Sequence, residues 1–135
     1  MNREEKKDYL KEYHNASARM ELDESMEKDY TLIQKDLEKR MRASSLDVSR
    51  LRQMEELLDD IKCFRKKILN DYKECKRKAA EIRNVISSVQ DDREGDILRM
   101  RYIESMKVEE IAEKMSYCRE SICRIHNQAL DHLKL

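Results

Sequence analysis

The sequence predicts an all-α protein: a long antiparallel helical hairpin of coiled-coil type over residues 1–90, then a three-helix helix-turn-helix module over residues 91–135. Three observations lead there. The 135 residues include no proline and a single glycine, Gly95, so the residues that break helices are nearly absent. Charged residues make up 43% and aromatic ones 5%, too little bulk for a thick core but enough for narrow apolar stripes on extended helices. Apolar residues also recur at helical spacing over most of the chain, which together with zero net charge argues against disorder.

Taken in order, the first stretch puts Tyr9, Tyr13, Ala16 and Met20 on one face, and Met26, Tyr30, Ile33, Leu37 and Met41 on a second run. The register slips between Met20 and Met26, where a bend or break is expected. A connection as short as Met41 to Leu46 favours an antiparallel neighbour. Ser44 or Ser45 is placed to cap the next helix, which would reach Val89 and span about 65 Å. Its seam runs Leu51, Met54, Leu58, Ile61, Arg65, Ile68, Tyr72, Cys75, Ala79, Ile82, Ile86 and Val89, with gaps of three and four. Only Arg65 interrupts it. A cation there costs stability unless it meets a carboxylate, in which case it sets register or partner choice. The rival to this antiparallel pairing is one hairpin pairing with another across a dimer; a two-helix hairpin leaves Leu57, Phe64 and Leu69 only partly covered, so a homodimer rather than a monomeric hairpin is expected.

Charge is unevenly spread. Between Lys62 and Arg83 nine basic residues stand against three acidic ones. This is either a solvated face paired with acids of the opposite helix or a supplementary phosphate-contacting surface. The charged first twenty residues carry no signal-peptide pattern, and no apolar run reaches membrane-spanning length. Cys63, Cys75, Cys118 and Cys123 are then expected to be reduced thiols in a cytoplasmic protein that makes no membrane contact.

Beyond residue 90 the pattern changes. Asp91 or Asp92 can cap a helix carrying Ile97, Leu98 and Tyr102. A second helix is expected from about Val108 to Met115, burying Ile111, Ala112 and Met115. Ser116-Tyr117-Cys118 makes the turn, and a third helix runs from about Arg119 to Leu133 with Ile122, Ile125, Ala129 and Leu133 inward. Ala112 is small where two helices cross closely, while Ile122 and Ile125 hold the third helix at a steep angle and leave its other face open. Position 116 calls for positive φ, so a serine there costs some strain.

The stretch "REGDILRMRYIESMKVEEIAEKMSYCRESICRIHNQAL" resembles region four of bacterial housekeeping sigma factors, which binds an upstream promoter element. The landmarks are "ILRMRY", "EEIAEK", "RES" and "I..QAL", and the likeness covers the last third of the chain. With a helical hairpin in front, the whole resembles small phage and prophage regulators that carry region four alone. The resemblance implies a transcription regulator whose partner is double-stranded promoter or operator DNA, or RNA polymerase. Arg119 and Glu120 match the start of the recognition helix, where Arg suits phosphate or guanine and Glu accepts from a cytosine amine. Arg124 stands where the family often has Gln, and Arg101 matches a backbone-clamping basic residue. Ser121 and Gln128 complete the expected DNA-facing set. Ser121 and Cys123 replace residues that are usually Arg, which implies weaker binding and a flatter salt dependence.

Charge points the same way: residues 91–135 hold eight basic and ten acidic residues, a balance of −2. One copy is then a weak DNA binder, and dimerisation, the basic segment or polymerase contact must supply the rest. A non-DNA-reading module that binds polymerase or another protein through the coiled coil or the helix-turn-helix is the alternative. Cys118, Cys123, His126 and His132 match no common zinc spacing, so no metal or other cofactor is expected. Cys123 and His126 are expected to be half-buried and His14 to lie on the surface. No phosphate loop, nucleophile elbow or compact His/Asp/Glu cluster points to an enzyme. A full sigma factor is not expected, because nothing in these 135 residues resembles the aromatic-bearing region that opens promoter DNA.

Overall fold

Without proline, and with its one glycine inside a short helix, the chain has little to interrupt helical hydrogen bonding. The computed structural model describes residues 1–43 and 45–135. It contains α1 (Arg3–Ala43), α2 (Val48–Ser87), α3 (Asp92–Leu98), a π-helical turn (Arg99–Ile103), α4 (Val108–Met115) and α5 (Arg119–His132). Among the described residues there is no strand, and no helix is long and apolar enough to cross a membrane. These elements form two compact units. One is Arg19–Cys75; the other joins Met1–Ala18 to Lys76–Leu135. The start of α1 thus belongs to the same compact unit as the C-terminal helices.

Within Arg19–Cys75, α1 and α2 run antiparallel. Tyr30 stacks on Phe64 with ring centroids 6.1 Å apart, Tyr72 donates to Glu24 at 3.2 Å, and Arg19 pairs with Asp71. Every α2 seam position in this unit, from Leu51 to Cys75, is buried or half-buried, as the spacing predicts. The expected break between Met20 and Met26 does not occur, since α1 is one continuous helix. Its seam passes through Asp23, Glu27 and Gln34, polar residues that an apolar count skips. Ile33, assigned to the inner face, is instead 49% exposed. Asp23 is buried and its Oδ2 has no hydrogen-bond partner. Burial, followed by its hydrogen bond to Asp71, pushes its carboxyl above the usual range, while Arg19 acts in the opposite direction.

The interruption at Arg65 is resolved by those polar seam residues. Its guanidinium donates to Glu27 at 3.0 Å and to Gln34 at 2.8 Å, and the same contact holds the Glu27 carboxyl below its ordinary value. The α2 start differs from expectation in its cap. Ser45 lies outside the helix, and Asp47 accepts from the Arg50 N–H at 2.8 Å; the alternative, Ser44, lies outside the described residues.

In the other unit the first turns of α1 pack on the last turns of α2. Leu10, Tyr13 and Ala16 on α1 and Ala79, Ile82 and Ile86 on α2 are all buried. Tyr9 donates to Glu81 at 2.6 Å, Arg83 donates to the Tyr13 hydroxyl at 2.6 Å, and Lys78 pairs with Glu12 at 3.0 Å. Part of the basic run is thus neutralised locally, while Lys62, Lys66, Lys67, Lys73 and Lys76 remain exposed.

Arg65→Leu should lower the thermal midpoint by stranding Glu27 in the seam, and adding Glu27→Leu should restore or exceed the starting value. Circular-dichroism melts of the three proteins check this. A double variant less stable than the single one would show that the pair holds the helices rather than merely tolerating each other.

Candidate nucleic-acid interface

The C-terminal module begins at a well-made cap. Asp91 accepts from the N–H groups of Arg93 at 2.9 Å and Glu94 at 3.1 Å, which leads α3 in with Ile97 and Leu98 fully buried. The helix then widens into the π-helical turn, closed by Glu104 N–H to Arg99 carbonyl at 3.0 Å. Glu110 reaches back to the Lys107 N–H at 3.4 Å and starts α4. Ser116 ends α4 in the left-handed region, φ 59° and ψ 38°, with the next N–H closing onto Ala112 at 2.9 Å. Cys118 returns to extended backbone and α5 follows.

This geometry makes a tight helix-turn-helix. Ile97, Met100, Ile111, Ala112, Ile122 and Ile125 form one buried cluster, with Met106, Val108 and Met115 at its edge. Because α5 buries Ile122, Ile125 and Ala129 on one side, helical periodicity turns Glu120, Cys123, Arg124 and Gln128 to the other. Residues 91–135 match the family model for Sigma-70, region 4. No curated protein and no solved structure matches the chain. The segment is a sigma region 4-like helix-turn-helix, a DNA-binding domain type.

Within the region 4 module, α5 carries five of the six sequence-assigned residues. Arg119, Glu120, Arg124 and Gln128 are exposed. Arg119 approaches Glu109 of α4 at 3.5 Å, an exposed and easily exchanged pair. Ser121 is half-buried, its hydroxyl 3.1 Å from the Cys118 thiol; that contact draws the thiol below its ordinary pKa. Arg101 stands apart on the π-helical turn, where it donates to the Met106 carbonyl at 3.1 Å. Cys123 is exposed rather than half-buried, because α5 turns it away from the cluster; His126 is half-buried and His14 exposed.

Sequence reasoning missed what holds the far end of α5. The Lys6 ammonium, itself buried, donates to the carbonyls of Leu130 at 2.7 Å and Leu133 at 2.9 Å. A cation at a helix C-terminus satisfies orphan carbonyls and complements the dipole. Arg3 grips Asp131 with two hydrogen bonds of 2.7 and 2.6 Å. Tyr102 lies 2.7 Å from His126 Nε2; burial, then the charges of Lys7 and Arg101, push His126 down to about 4, so it is neutral at pH 7. His132 sits against the buried Glu94 at 2.9 Å, which raises the imidazole's pKa. No local pattern signals these contacts, since Lys6 and Leu130 are 124 residues apart.

Ser116→Gly should stabilise the module by about 0.5–1 kcal/mol, because glycine enters the left-handed region without a Cβ penalty. Thermal unfolding checks it, and a lowered midpoint would mean that the serine makes a compensating interaction.

Proposed function

We propose that the protein is a DNA-binding transcription regulator of the phage or prophage type, which reads a promoter or operator through α5. One observation carries this reading. Arg119, Glu120, Arg124 and Gln128 are all exposed on α5 while Ile122 and Ile125 anchor the helix beneath them. That is the disposition a recognition helix needs to enter the major groove. Arg119 would take a guanine edge or a phosphate, and Glu120 a cytosine amine.

A non-reading interaction module is the second interpretation, favoured by the −2 balance of residues 91–135 and by Ser121 and Cys123 in place of cations. RNA polymerase is the partner it implies. Binding to the DNA upstream of the protein's own gene separates the two. Arg119→Ala should weaken it by about 1–3 kcal/mol, and Glu120→Ala should change base preference with helicity unchanged. Equal binding by all three proteins would favour the interaction module.

We also propose a homodimer formed through the helical pair. Met26 and Ile33 on α1, and Leu57 and Phe64 on α2, recur at intervals of seven. Ile33, Leu57 and Phe64 are each about half exposed, at 49%, 50% and 49%. A second copy offering the same stripe would cover them. Light scattering should report a dimer for the parent protein and a monomer for Phe64→Glu. A monomeric parent would refute the dimer.

A further inference from the structure

The charge deficit of the region 4 module is offset by residues that lie outside it in sequence. The first turns of α1 run along α5 in the opposite direction. Arg3 meets Asp131, Lys6 meets the carbonyls of Leu130 and Leu133, and Lys7 lies close enough to His126 to oppose its protonation. Lys7 and Lys11, one helical turn apart, therefore flank the recognition helix. They line a cleft of about 370 Å³ together with Arg101, Cys123, His126 and Asn127.

We propose that Lys7, Lys11 and Arg101 form a clamp for a DNA backbone phosphate beside the groove that α5 enters. The inference rests on the DNA-reading function proposed above and assigns the N-terminal helix a part in it. Three cations from two distant stretches of chain converge there. Cys123 and Asn127 carry the cleft onto the rows of α5 next to Glu120 and Arg124, so a duplex on those residues brings its backbone to the cleft mouth. Glu4 also lines the cleft and pairs with Lys7 at 3.1 Å. It is the more exposed partner, with 76% of its side chain open against 29% for Lys7, and a phosphate can displace it. Lys11 is exposed. The cations that Ser121 and Cys123 do not supply thus come from α1, along the flank of the same helix.

Counterion release provides the test. Each phosphate contact contributes about −0.9 to the slope of log affinity against log salt. Binding of the full chain to its upstream DNA and to a scrambled duplex would be titrated across salt. The proteins are the parent, Lys7→Gln, Lys11→Gln, the double variant, and Lys39→Gln as a control on an exposed lysine in the other unit. The double variant should flatten the slope by about 0.9 on both duplexes, with each single substitution giving part of that loss, leave the preference between them unchanged, and exceed the effect of the control. Lys11→Gln removes an exposed side chain, so it tests the clamp even if Lys7→Gln loosens the packing. Parent-like slopes in the cleft variants, with the parent binding its DNA, would overturn the clamp and leave the recognition helix standing. A parent protein that binds neither duplex would overturn the DNA-reading function and the clamp together.

Discussion

The seating of α5 through Ile122 and Ile125 is the constraint from which the rest of the module follows. Both isoleucines enter one small cluster with Ile97, Met100, Ile111 and Ala112, where the alanine lets the helices cross closely. Nothing about the exposed residues of α5 would matter if that angle were free. With it fixed, four polar side chains share an outward surface, and each owes its position to atoms it does not touch. The left-handed Ser116 is part of the same constraint, since the chain must reverse within three residues to bring α5 back onto α4.

At the far end of α5 a second kind of contact adds to the burial of Ala129 and Leu130. Lys6 gives up solvent to satisfy two terminal carbonyls, and a buried ammonium is tolerable only because both acceptors are charge-favourable helix ends. Apolar packing thus runs the length of α5, through Ile122, Ile125, Ala129 and Leu130, and a buried cation adds a polar tie at its end. That tie makes the start of α1 part of the same unit as the region 4-like module, and places its lysines beside α5.

In the helical pair of residues 19–75, polar seam residues are the informative ones. Glu27, Gln34 and Arg65 satisfy one another in a layer that an all-apolar seam would lack. Such a layer opposes register slips, since moving either helix by one turn would leave a cation among apolar side chains. Asp23 is less fully compensated, because its Oδ2 has no partner and the nearby Arg19 is paired with Asp71.

The sequence by itself determined the helices, the α2 seam, the turn at Ser116 and the inward set of the region 4 module. These follow from local periodicity and backbone preference, which act over a few residues. It misjudged α1, where Asp23 and Glu27 hold seam positions and an apolar count sees a slip. Only the tertiary structure decided the pairing of Arg65 with Glu27 and Gln34, the grip of Arg3 and Lys6 on α5, and the cleft that Lys7, Lys11 and Arg101 line together. Those contacts join residues tens to more than a hundred positions apart, and a charge carries no periodic mark of the partner it will meet.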